Sequence, residues 1–200
     1  TSMGFELAGA LLLMVVMVPK FGIDGIWISV FTAVSAFCNA GFDIFGRIAP
    51  YTSLTTFYSN GYVLVIVMVL IISGGLGFIV WQDLFMFRRR RKLSLHAKLA
   101  VAVTVTLIAV GALVIGLLEW QNPATMGSFS TAEKVLSSLF QSVTCRTAGF
   151  NTIDQASMHT VSKLASVGLM FIGACPGGTG GGIKGTTAII LFFTILSVLQ

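Results

Sequence analysis

The chain has 200 residues, of which 10% are charged and 56% hydrophobic, and its mean hydropathy is +0.94. A soluble domain carries about 25% charged residues, so a solvated globule is excluded. The net charge of +5 would suggest nucleic acid as a partner in a soluble protein, but in a membrane protein the location of charge matters more than its sum.

The first apolar run, residues 5–18, reads as a helix stopping at Pro19-Lys20. It contains Glu6 and has no basic leader, so it is not a signal peptide. Both chain ends read as cut from a longer protein. The next apolar stretch, 26–42, cannot be a full crossing without misplacing the charges that follow. Residues 61–81 and 99–118 contain no charged residue and are each about 20 long, the length a spanning helix needs. Between them, the stretch 88–98 holds Arg88, Arg89, Arg90, Arg91, Lys92 and Lys98, half of the 12 basic residues, and no acid. The positive-inside rule makes 88–98 a cytoplasmic linker. Removing those six leaves six basic against seven acidic residues, so the net charge reports orientation. Glu119 to Pro123 then lie outside, with Trp120 at the interface, and Glu119 and Glu133 are expected to be exposed. Residues 135–145 are too short to span. Together with 26–42 they read as re-entrant segments, which tolerate non-helical backbone only inside protein or along a water-filled cavity.

The two re-entrant segments resemble each other. Val30 to Ser35 aligns with Leu139 to Thr144, and after a one-residue gap Asn39-Ala40-Gly41-Phe42-Asp43 aligns with Thr147-Ala148-Gly149-Phe150-Asn151. The chain thus reads as helix, re-entrant helix, loop and helix, twice: residues 1–87 and 99–200 on either side of the linker. A short helix aims its negative C-terminal end at the membrane centre. The chain returns through a glycine that lets carbonyls point at one axis, and rings of carbonyls replace the hydration shell of a cation. Asp24 and Asp43 could add negative field at the outer mouth.

The last span starts near Val161 and meets a break containing Gly173, Cys175, Pro176, Gly177, Gly178, Thr179, Gly180, Gly181, Gly182, Lys184 and Gly185 before helix resumes at Ala188. No helix survives that composition. The spacing fails as a phosphate-binding loop, because Ile183 separates Gly182 from Lys184. A mobile loop obstructing a pore is expected, with Lys184 a functional candidate at membrane depth. The scattered acids leave a membrane-embedded enzyme as a remote alternative. Cys38, Cys145 and Cys175 are far apart and read as buried apolar thiols. His96 and His159 read as solvated or interfacial, and Arg146 as a prop for the second pore loop. Phe42 and Phe150 would brace the filter from behind.

The segments around Ala40-Gly41-Phe42, around Ala148-Gly149-Phe150 and from Pro176 to Lys184 resemble the Trk/Ktr/HKT superfamily of potassium transporters, most closely the bacterial Ktr-type or Trk-type membrane subunit. Ser73 to Phe78 is also similar to the family pattern. The resemblance implies an all-α integral membrane fold, potassium-channel-like, with four helix–pore loop–helix repeats, of which this chain matches the second and third. It implies filter segments at Asn39, Ala40, Gly41 and Phe42 and at Thr147, Ala148, Gly149 and Phe150, with a gating loop spanning 173–187. The transported ion would be K+, with Na+ as the alternative cargo or coupling ion, and no organic cofactor in this chain. Implied partners are membrane lipid, a second copy of the full-length protein and a cytosolic ring of nucleotide-binding regulatory subunits, with no nucleic acid. The implied location is the plasma membrane, the inner membrane of a bacterium. Cys175 departs from the family pattern, where a small hydroxyl residue is expected. Half a ring of carbonyls cannot enclose an ion, so this segment alone is not expected to conduct.

Overall fold

A computed structural model of the chain describes residues 2–47 and 52–199, without the side chains at 47, 88–90, 192, 193, 196, 198 and 199. Three of the basic residues that set the expected orientation, Arg88, Arg89 and Arg90, therefore lie outside the described side chains. The described residues form eight α-helices, two short 3-10 turns and no strand.

Helix α1 (Ser2–Phe21) runs through Pro19 and ends where Gly22 N donates to Val18 O at 2.8 Å. It turns directly into α2 (Asp24–Phe37). The two pack so closely that a Cβ at Gly25 would overlap the Met17 carbonyl. At about 1.5 Å per residue, the 14 residues of α2 cannot cross a bilayer. α3 (Gly61–Leu76) starts under Asn60, whose side chain accepts from Val63 N at 3.3 Å. α5 (Leu95–Glu119) is capped by Ser94, which accepts from Ala97 N and also bonds Asp83 on α4 (Phe78–Arg90). α6 (Thr131–Thr144), again 14 residues, opens with a capping box between Ser130 and Glu133. α7 (Thr160–Phe171) and α8 (Gly185–Leu199) flank the Gly-rich break. α8 begins three residues before the expected Ala188, because Ala188 N already bonds Lys184 O at 3.0 Å.

One expectation fails. The uncharged run 61–81 is not one helix: α3 stops at Leu76, and α4 leaves at 98° to it. Gly77 makes the bend with φ +80° and ψ 161°, a region essentially confined to glycine. Leu95–Glu119 and Ser2–Phe21 are long and apolar enough to span, and the bent α3–α4 pair passes only as a broken span.

α3 lies between the two halves. Its Val63, Leu64 and Val67 are fully buried, in one cluster with Leu13 and Met17 of α1, Phe140 and Val143 of α6, and Ala148 and Phe150. Connecting loops add further ties: Leu54 N donates to Asn151 O at 3.0 Å, and the Tyr58 and Phe129 rings stack at 4.2 Å. These contacts bring the ends of α2 and α6 to one place.

Candidate functional site: two matched segments and the loop beneath them

α2 and α6 both end in extended chain. In the first, Asn39 has φ +51° and Gly41 φ +73°; in the second, Thr147 has φ +72° and Gly149 φ +86°. The left-handed positions thus fall at the aligned residues of both segments. The matching extends to side chains. Ser35 Oγ donates to Phe42 O at 2.7 Å, and its aligned residue, Thr144, donates through Oγ1 to Phe150 O at 2.7 Å. Each short helix therefore anchors the C-terminal end of its own segment. Among the described residues, no donor bonds the carbonyls of Ala40, Gly41, Ala148 or Gly149. The segments meet at their glycines: a Cβ on Gly41 would stand 2.6 Å from Ala148 O and 2.8 Å from Gly149 Cα. Only glycine satisfies both that approach and the positive φ. The C-terminal ends of α2 and α6 add partial negative charge beside the open carbonyls.

The residues expected to gate form a lobe directly against these segments. Its base is closed by Ile183 N to Phe171 O (3.1 Å) and Gly173 N to Ile183 O (3.0 Å). One side is held by the broken end of α3. A helix end leaves carbonyls without intrahelical partners, and here the lobe supplies them: Thr179 N donates to Gly74 O (3.1 Å) and Cys175 N to Gly75 O (2.9 Å). Trp81 Nε1 takes Ser73 O at 2.8 Å. The lobe is thus tied to its surroundings by non-helical hydrogen bonds at several points. Gly177, Thr179, Gly181 and Gly182 form an exposed rim, whereas Gly173, Ala174, Cys175 and Gly180 are buried and Pro176 and Gly178 half-buried. Lys184 Nζ donates back to Gly180 O at 2.7 Å.

Arg146 is buried beside this lobe, and its Nη2 donates to Gly173 O at 3.3 Å. It props the glycine-rich lobe against the second segment. Cys175 is fully buried, with Sγ 3.7 Å from Thr104 Oγ1 and 3.8 Å from Ala100 O, long contacts suited to sulfur. Asp43 Oδ1 accepts from Phe45 N at 3.0 Å, so that carboxylate caps a turn, and Asp24 is exposed at the start of α2.

Four smaller expectations change. Cys38 is exposed, whereas Cys145 and Cys175 are buried. Phe150 is fully buried in the central cluster, but Phe42 is 70% exposed, so only Phe150 is packed among the described residues. His159 is exposed, while His96 is half-buried with Nε2 unpartnered. Glu133 is half-buried in its capping box. Glu119 differs most, being fully buried. Its Oε2 accepts from Asn122 Nδ2 and Thr125 Oγ1, both at 2.7 Å, and its Oε1 from His159 N at 2.9 Å. This carboxylate ties the C-terminal end of α5 to the start of α7. Asn122 and Thr125 three and six positions later are the only sequence hint of it.

The chain is 42% identical over 196 residues to the potassium/sodium uptake protein NtpJ of Enterococcus hirae, covering 98% of this chain and 42% of that protein. It is 38% identical over 200 residues to the Ktr system potassium uptake protein B of Bacillus subtilis, covering 100% of this chain and 44% of that one. The chain thus spans less than half the length of these relatives. Its fold is similar to that of the potassium transporter TrkH from Vibrio parahaemolyticus, with a TM-score of 0.70 at 21% identity over 94% of this chain and 39% of that one, a likeness of fold alone. The family profile described as TrkH, cation transport protein, matches residues 1–200. With its apolar helices arranged in this fold, the chain is a multi-pass membrane segment belonging to the TrkH cation transport protein family.

Proposed function

We propose that this segment supplies two of four pore repeats in a potassium uptake protein of the plasma membrane. Residues 1–87 and 99–200 are the repeats, and the basic stretch 88–98 faces the cytoplasm. One observation carries the reading. Two aligned segments, 39–42 and 147–150, meet at glycines and leave the carbonyls of Ala40, Gly41, Ala148 and Gly149 without donors among the described residues. Such carbonyls suit a partly dehydrated monovalent cation. Repeats outside this segment complete the ring. The lobe 173–187 closes the path below it and moves to open it. Because one relative is named a potassium/sodium uptake protein, Na+ is the second cargo to measure. The intact protein pairs with a second copy and meets a cytosolic nucleotide-binding ring near residues 88–98. The relatives are named as uptake proteins, and none of those names favours an enzyme.

The test is uptake by the full-length protein in cells lacking their own potassium systems. Growth on limiting K+ is expected, and no growth despite membrane insertion contradicts the reading. Gly41→Ser and Gly149→Ser should each change K+ over Na+ preference, since either Cβ collides with the opposite segment (2.6 Å to Ala148 O; 2.9 Å to Gly41 Cα). Unchanged preference in both removes the filter assignment. Shortening 177–182 should raise flux, and unchanged or lower flux removes the obstruction.

A further inference from the structure

The side chains at the two left-handed positions do something the carbonyl reading does not require. Asn39 Nδ2 donates to Thr179 Oγ1 at 2.8 Å, and Thr179 Oγ1 donates in turn to Phe37 O at 2.9 Å, the last carbonyl of α2. In the other repeat, Gly181 N donates to Thr147 Oγ1 at 3.0 Å. The first residue of each filter segment therefore holds the same lobe, two residues apart along it. Thr147 is β-branched at φ +72°, where a β-branched residue is a genuine outlier. Such a conformation persists only when its surroundings over-determine it, and the bond from Gly181 N is one of those constraints. Asn39 is buried, but its Oδ1 has no partner, so the bond to Thr179 is what orients the amide. Gly180 lies under Thr147 so closely that a Cβ there would stand 2.6 Å from Thr147 Oγ1.

We propose that Thr179 and Thr147 are positioning residues for ion selectivity: docked, the lobe fixes the inner end of both filter segments through Asn39 and Thr147, and when it moves away it loosens them. Obstruction and selectivity are then coupled through these side chains. The inference rests on the filter and lobe reading above. It adds that K+ over Na+ preference depends on whether the lobe is docked, although no lobe side chain need touch the ion.

The test uses the full-length protein in liposomes, with K+ and Na+ flux measured separately. Thr179→Val keeps the side-chain shape and removes both hydroxyl bonds. Thr147→Val removes the acceptor for Gly181 N, and Thr179→Ser retains the hydroxyl. Variants are compared at equal amounts of folded protein, judged by a sharp thermal transition. Net bonds of this kind correspond to about fivefold each in an equilibrium. Thr147→Val should therefore raise total flux and lower K+ over Na+ preference by roughly fivefold, and Thr179→Val, which loses two bonds, by at least that factor, while Thr179→Ser behaves as the parent protein. Raised flux with unchanged preference overturns the coupling and leaves the obstructing lobe intact. Unchanged or lower flux in both valine variants overturns the obstructing lobe and the coupling with it. Loss of preference in Thr179→Ser equal to that in Thr179→Val also overturns the coupling, because the hydroxyl would then be irrelevant.

Discussion

Gly74 and Gly75 are consecutive residues of α3, yet the structure assigns alanine opposite effects at the two. Replacing a helical glycine by alanine gains at most about 1 kcal/mol of helix propensity, and both residues lie in the last turn of α3. At Gly75 nothing opposes that gain: a Cβ would meet Asn39 Nδ2 at 3.7 Å and Ala174 Cβ at 3.9 Å, ordinary contacts. At Gly74 the Cβ would overlap the Phe37 carbonyl and stand 2.8 Å from Thr179 Oγ1. The obstacle is backbone at the end of α2, which cannot rotate aside. Overpacking of this kind costs about 1–3 kcal/mol, and displacing Phe37 O also weakens its bond from Thr179, worth about 1 kcal/mol. Gly74→Ala should therefore lose roughly 1–3 kcal/mol net, and Gly75→Ala should gain up to about 1 kcal/mol. The assay is thermal unfolding of the full-length protein in detergent, with the variants side by side. Parallel shifts, or a Gly74→Ala protein as stable as the parent, would refute the packing of α3 against the end of α2.

Two further outcomes follow from the loops around Glu119 and Asp154. Glu119→Gln puts an amide donor among groups that already donate, Asn122, Thr125 and His159 N, and should cost about 1–3 kcal/mol of stability in the same assay; an unchanged midpoint would place the carboxylate in water. Asp154 sits in the loop before α7, where the Ser157 hydroxyl and then the Ala156 N–H hold its carboxyl below the usual carboxylate range. A folded pKa below the unfolded one contributes stability above the unfolded value and loses it as pH falls through the folded value. The advantage of the parent protein over Asp154→Asn should accordingly shrink in acid, and a difference in midpoint independent of pH would contradict the bonds at Asp154.

What could be read from the sequence was local or repeated. Ala-Gly-Phe occurs twice behind short apolar helices, and the aligned residues carry the positive φ values and the paired hydroxyl anchors from Ser35 and Thr144. The seven glycines of 173–185 forbid helix by composition alone. The bend at Gly77 was hidden, because apolar residues continue on both sides of it and hydropathy does not report direction. Its cause is distant: Gly177 O accepts from Phe78 N at 3.4 Å, and the lobe takes the carbonyls that the broken helix frees. Glu119 was misjudged for a related reason. A charged residue beside Trp120 and Pro123 reads as solvated, and its burial depends on His159, 40 residues away. The lobe itself was legible as a break, but its docking was not, since that depends on Asn39 and Thr147 meeting Thr179 and Gly181 in space.

The central claim is that the carbonyls of Ala40, Gly41, Ala148 and Gly149 bind the permeating cation. The direct measurement is anomalous scattering from Tl+, a substitute for K+, in a structure of the full-length protein. The account predicts density beside the carbonyls of Gly41 and Gly149, displaced by excess K+. Ordered Tl+ elsewhere in the pore, with none beside these two segments, would contradict it.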